Sequence, residues 1–154
     1  MLCAAAGLLY DPAESTVSRG NMMVIDARAH TTLPAADMER AKRWYEEKLG
    51  LKPASEGPGG VFYVAAGGTR FVLYPTPNTQ RGGHTQMGLA SADIDADVAQ
   101  LRSRGVVFEE YDFPGLKTDG GIATTGDIRA AWFKDSEGNT IGVVQLPPSI
   151  EPGS

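Results

Sequence analysis

A chain of 154 residues is long enough to bury a core of its own as one domain without crosslinks. Fourteen Lys and Arg against nineteen Asp and Glu give a net charge of -5, with no basic run and no basic helix face, which excludes nucleic acid as an expected partner. The single cysteine, Cys3, excludes an intramolecular disulfide and points to a reducing compartment, so the cytoplasm is the expected location.

The chain opens on MLCAAAGLLY, an apolar run with no basic residue before Arg19, which lacks the charge pattern of a secretion signal. It is also far shorter than the roughly 20 residues of a membrane span, so no membrane partner is expected. Residues 1–21 therefore read as a disordered extension, residues 22–147 as one domain and residues 148–154 as a flexible tail. Val24 to Leu33 is a strand candidate. Asp37 can cap a helix whose residues Ala41, Trp44, Tyr45 and Leu49 share one face, and Gly50 stops it. Leu51 to Ser55, Val61 to Ala65 and Thr69 to Pro75 read as strands separated by GPGG and GG turns. The first unit, about 24–76, is thus βαβββ.

Residues 76–83, TPNTQRGG, are polar and rich in turn formers, a link to a second unit at about 84–146. There Thr85 to Ser91 reads as a strand, Asp93 as a cap, and Val98 and Leu101 as the inward face of a helix that ends before Gly105. Val106 to Tyr111 is a further strand candidate, and Ile128 to Phe133 and Thr140 to Leu146 form a hairpin across DSEGN at 135–139. That turn reads as local hydrogen bonding by Asp and Asn, without a catalytic carboxylate. Between them lies DFPGLKTDGGIATTGD, residues 112–127, too long and aperiodic for an ordinary connection and expected to act as a lid or binding loop. The expected fold class is α+β, two tandem βαβββ modules.

The modules repeat in sequence as well as pattern: HTTLPAAD at 30–37 answers QMGLASAD at 86–93. HTTLPAADMERAKRWYEEKLGLKP resembles the opening of the vicinal oxygen chelate superfamily, which includes glyoxalase I, extradiol dioxygenases, and bleomycin and fosfomycin resistance proteins. AAWFKDSEGNTIGVVQ is similar to the closing hairpin of those proteins. The resemblance implies a curled mixed sheet around a cleft, a homodimer, and in catalytic members a metal held by one ligand from the first strand and one carboxylate from the fourth strand of each module. His30 and Gln86 match the first-strand positions, each seven residues before its capping aspartate. The fourth-strand positions fall on Leu73, or Val72 with a one-residue slip, and on Gly142, none of which can bind a cation. One imidazole and one amide bring no negative charge to offset desolvation of a divalent ion, so no tightly held metal is expected.

Tyr111, Phe113 and Trp132, with Leu116 and Lys117, would give the cleft an aromatic wall and one cation, suited to a flat or partly anionic organic ligand. Core packing is the competing role for Phe113 and Trp132, and the expected role of Trp44 and Tyr45. His84, beside two glycines, reads as solvated. No nucleophile elbow or phosphate loop is present in the sequence. The expected function is binding of a small organic molecule by a cleft lined by His30, Leu73, Gln86, Tyr111, Phe113, Lys117, Trp132 and Gly142. The alternative is a lyase, isomerase or dioxygenase of the same fold, using His30 as base or as ligand of a recruited divalent metal such as Zn, Ni or Fe.

Overall fold

The computed structural model describes residues 30–77 and 82–147. The expected extension at 1–21, the start of the first predicted strand, part of the link and the tail at 148–154 lie outside the described residues.

The first module runs β1 (Thr31–Ala35), α1 (Met38–Trp44), β2 (Ser55–Gly57), β3 (Gly60–Val64) and β4 (Arg70–Pro75). The Asp37 carboxylate accepts the Arg40 amide at 2.9 Å, closing one of the open amides that every helix start leaves. Helix α1 continues through a π-helical turn, Tyr45–Leu49, and stops at Gly50, whose φ of 69° suits a residue without a side chain. The strands order β1-β4-β3-β2, with β1 parallel to β4 and the rest antiparallel. The second strand is Ser55–Gly57, later than the expected Leu51 to Ser55, because the chain after Gly50 first crosses from the helix to the sheet edge.

The second module repeats this frame. It comprises β5 (Met87–Ala90), α2 (Ile94–Ser103), β6 (Asp112–Phe113), β7 (Leu116–Asp119), β8 (Ile122–Thr125), β9 (Ile128–Lys134) and β10 (Thr140–Gln145). Asp93 caps α2 by accepting the Ala96 amide at 3.1 Å. Its sheet orders β5-β10-β9-β8-β7-β6, with β5 parallel to β10.

Two expectations are corrected here. Val106 to Tyr111 is no continuous strand; Phe108 makes a single bridge to Phe133, and the Glu109 amide donates to the Trp132 carbonyl at 2.7 Å. The segment expected as a lid, residues 112–127, is a meander of β6, β7 and β8 that extends the sheet. Its glycines lie at positive φ between short strands, at Gly115 (90°), Gly120 (55°), Gly121 (79°) and Gly126 (59°), so they make hairpin turns and not a loose loop.

Alternation along the strands sorts each sheet into two faces. Leu33, Ala35, Tyr63, Phe71 and Leu73 of the first sheet, and Met87, Ala131, Phe133, Ile141 and Val143 of the second, are buried in one core with Ala41, Tyr45, Ile94 and Val98 of the helices. Within the first module Tyr45 packs against Tyr63 and Phe71 at centroid distances of 5.5 Å each, and Trp44 reaches Phe133 of the second module at 6.0 Å. Trp44 and Tyr45 thus serve packing.

The turn at Asp135 to Asn139 makes the expected local hydrogen bonds, with Asp135 accepting the Glu137 and Asn139 amides, and is in addition a buried clasp between modules. Glu137 Oε2 accepts the Ala36 amide at 2.9 Å and the Asp37 amide at 3.1 Å, while Arg40 donates to both carboxylate oxygens. A carboxylate from the second module therefore caps the first module's helix. Asp135 accepts the buried Tyr45 hydroxyl at 2.9 Å, and fully buried Asn139 donates to the Pro34 carbonyl at 3.0 Å. At the opposite helix ends, Lys48 Nζ donates to the Arg104 carbonyl at 2.6 Å and Arg104 Nη1 to the Lys48 carbonyl at 3.3 Å. Each helix C-terminus thereby receives a cation from the other module, where the backbone dipole favours one.

Candidate functional site

With helices covering one side of both sheets, the open side is where a ligand could meet side chains. On the second sheet that side carries a strip of three aromatic rings. Tyr111 stands edge-on to Phe113 at 5.7 Å and to Trp132 at 5.6 Å. Trp132 Nε1 donates to Thr85 Oγ1 at 2.9 Å, which fixes the indole's orientation. Phe113 is 52% exposed, whereas Tyr111 and Trp132 are half-buried, so the strip grades from a free edge to a seated ring. Burial, and then the neighbouring Glu109, raise the Tyr111 hydroxyl above its ordinary value, so it stays a neutral donor at physiological pH.

Gly142 lies beneath that indole. It pairs with Trp132 across the antiparallel ladder and with Gly88 across the parallel one. A Cβ placed on Gly142 would sit 3.3 Å from the Thr85 methyl and 3.4 Å from Trp132 Nε1. The indole therefore occupies the space that a longer side chain at 142 would need. Register also settles which first-module residue corresponds to Gly142. Gly88 stands five residues before Asp93, and Val72 pairs with Thr32, five residues before Asp37, so the counterpart is Val72 and not Leu73. Leu73 is fully buried on the helix side.

The other predicted residues are placed as follows. His30 is exposed at the first described position, just before β1. Gln86 is committed to the hairpin: its Nε2 donates to Asn139 Oδ1 at 3.2 Å and its Oε1 accepts the Thr140 amide at 3.1 Å. Lys117 pairs in register with Asp112, opposite in alternation to Phe113, and its ammonium donates to the Asp112 carboxylate at 3.1 Å. It is thus turned away from the strip. His84 is exposed.

A metal of the kind the fold's catalytic members carry does not fit these donors. Val72 and Gly142 offer no ligand atom, and both ends of the Gln86 amide already hold protein partners. No cluster of three or more His, Cys, Asp or Glu suited to a metal occurs among the described residues.

Three residues of the open face were missed in the sequence. Lys134 lies two residues from Trp132, hence on the same face, and its ammonium donates to Thr140 Oγ1 at 3.0 Å with no carboxylate partner among the described residues. It takes the place expected of Lys117. Strand alternation in IRAAWFK carried that signal. Thr118 is buried beside the strip, donates to Glu110 at 2.6 Å and accepts the Tyr111 amide at 2.8 Å. Neither it nor Thr85 has a sequence mark separating it from other strand threonines.

Comparison with known proteins agrees with this architecture. The family model of the Glyoxalase/Bleomycin resistance protein/Dioxygenase superfamily matches residues 27–143. No curated protein matches the chain. Among solved structures, TnmS3, an antibiotic binding protein from Streptomyces sp. CB03234, is similar at 28% identity and a TM-score of 0.54, covering 79% of this chain and 98% of its own. A glyoxalase/bleomycin resistance protein from the same Streptomyces strain is similar at 30% identity and a TM-score of 0.50, covering 73% and 94%. The fosfomycin resistance protein FosX from Listeria monocytogenes shares the fold at 14% identity and a TM-score of 0.58, covering 80% and 95%.

Proposed function

We propose that this chain, which belongs to the glyoxalase/bleomycin resistance protein/dioxygenase superfamily, binds a small, flat organic molecule on the open face of its second sheet without a tightly held metal. The aromatic strip carries this reading: Tyr111, Phe113 and Trp132 offer ring faces and edges to a planar ligand, and Lys134 stands on the same face without an acidic partner among the described residues. Such a surface suits an aromatic ring system with an acceptor or anionic group at one end. The similarity to a protein described as antibiotic binding supports an antibiotic-like ligand. The chemistry of the donors supports the rest, because Val72 and Gly142 stand where a cation would need carboxylates.

The same reading includes a homodimer. Four of the five exposed large apolar side chains among the described residues, Val64, Tyr74, Phe113 and Ile128, lie on the open faces of the two sheets by strand alternation. An open face this apolar is covered best by a second copy with ligand held between.

The test is a thermal-shift screen of the purified chain against bleomycin, fosfomycin and planar aromatic antibiotics, with metal analysis after dialysis and light scattering for mass. A compound that raises the melting temperature, and no longer does so in Trp132→Ala, supports the reading. Stoichiometric Zn, Ni or Fe that survives dialysis, with no stabilising compound, would refute it.

A further inference from the structure

A cavity opens beside the edge strands β1 and β5, away from the aromatic strip. It occupies about 810 Å³ between the modules, within the size range of small-molecule sites. Thr31, Phe71, Met87, Leu89 and Val143 line it from the helix side, opposite in alternation to Trp132, Gly142 and Lys134, and Arg70, Gly88 and Ala90 of the other parity join them along β4 and β5. None of the rings of the aromatic strip lines it.

Its chemistry is two-sided. Leu51, Met87, Leu89 and Leu101 form an apolar body, while Lys48, Arg70 and Arg104 bring three positive charges against the single carboxylate of Asp97. Asp97 is already engaged, accepting the Ser91 hydroxyl. Lys48 and Arg104 reach only backbone carbonyls at the two helix ends, so neither is neutralised by an acid. Arg70, exposed at the first residue of β4 and of opposite parity to Phe71, stands at the cavity's rim, and its guanidinium has no acceptor among the described residues. We propose that this cavity is a second ligand site, independent of the aromatic strip, for a small apolar molecule carrying one carboxylate. The carboxylate meets Arg70, whose planar fork matches it in two parallel hydrogen bonds, with Arg104 and Lys48 adding positive potential. The chain or ring of the ligand lies along the four aliphatic side chains, removed from water. A neutral molecule would leave the cations without a counter-charge, and a cationic one would be repelled.

Calorimetric titration of the full chain with sodium decanoate, and with decyltrimethylammonium as the cationic counterpart, tests this. One equivalent of decanoate should bind, and the cation should not. Arg70→Gln should weaken decanoate roughly tenfold, which is the loss of about 1.4 kcal/mol. Ala66→Trp, at an exposed position on the cavity wall, should block binding while the melting temperature stays unchanged. In amide spectra, decanoate should shift Leu89, Leu101 and Arg104 and leave the Trp132 indole N–H in place. Shifts centred on Trp132 and Tyr111, equal binding of both amphiphiles, or no binding together with contacts from residues before His30 to Leu89 and Leu101 would each overturn the proposal. The last outcome would identify the chain's own N-terminal segment as the occupant.

Discussion

Replacing Glu137 by Ala should loosen the joint between the modules. Its carboxylate is buried and accepts the amides of Ala36 and Asp37, one hundred residues away in sequence. An amide left without an acceptor costs about 1–3 kcal/mol when sealed from water. Both amides belong to exposed residues that water can reach, so the lower end applies, about 1 kcal/mol each. The ion pair to half-exposed Arg40 is screened and adds little. The lost stability is therefore about 2–3 kcal/mol, or roughly 5–10 °C in melting temperature for a chain of this size. The pH dependence has a definite sign. Burial pushes the Glu137 carboxyl up, but hydrogen bonds from Arg40, Asp37 and Ala36 together push it further down, so it titrates below its ordinary value. A carboxyl depressed by folding contributes fully above its unfolded value, about 4.3, and loses that contribution as pH falls through the folded one. Melting followed by circular dichroism at a series of pH values should therefore show a gap between the native chain and Glu137→Ala that is full at pH 7 and narrows below about pH 4. A gap under about 2 °C at pH 7, or one that persists unchanged in acid, would refute the helix-capping role.

Two tyrosines make an opposed pair. Tyr45→Phe removes a buried hydrogen bond to Asp135 and should cost about 1–2 kcal/mol in chemical denaturation. Tyr63→Phe removes a buried hydroxyl with no partner among the described residues, pushed up to about 12 by burial and by Glu56, and should leave stability unchanged or raise it by about 1 kcal/mol. Gly60→Ala should be the most damaging glycine substitution in the first module, by about 3 kcal/mol or more, since its Cβ would fall 2.1 Å from the Leu73 carbonyl oxygen at a φ of 134°. Gly142→Glu, which adds the carboxylate missing from the second module, should displace the Trp132 indole, cost about 1–3 kcal/mol and alter the tryptophan near-ultraviolet dichroism. It should confer no retained metal on elemental analysis.

The caps, stops and repeat of this protein are local, and the sequence displays them without help. Asp37 and Asp93 bond amides three residues on, Gly50 and Gly105 take positive φ where helices end, and the octets at 30–37 and 86–93 announce two copies of one unit. Of the aromatic strip, only Trp132 sits on a strand long enough to show its alternation, seven residues that also place Lys134, whereas Tyr111 and Phe113 lie outside such a strand. Short elements defeat such reading. Strands β6, β7 and β8 hold two to four residues each, too few for a period of two to emerge, and their glycine turns look like a loose loop. What only the tertiary structure decided depends on distant partners. A turn written DSEGN carries no sign that Glu137 caps a helix in the other module, that Asn139 is sealed from water, or that Gln86 spends its amide on that hairpin. Nor does a lone glycine at 142 reveal the indole above it. Hydrogen bonds and contacts across a hundred residues arise only when two modules dock, and docking is a property of surfaces that a linear pattern does not contain.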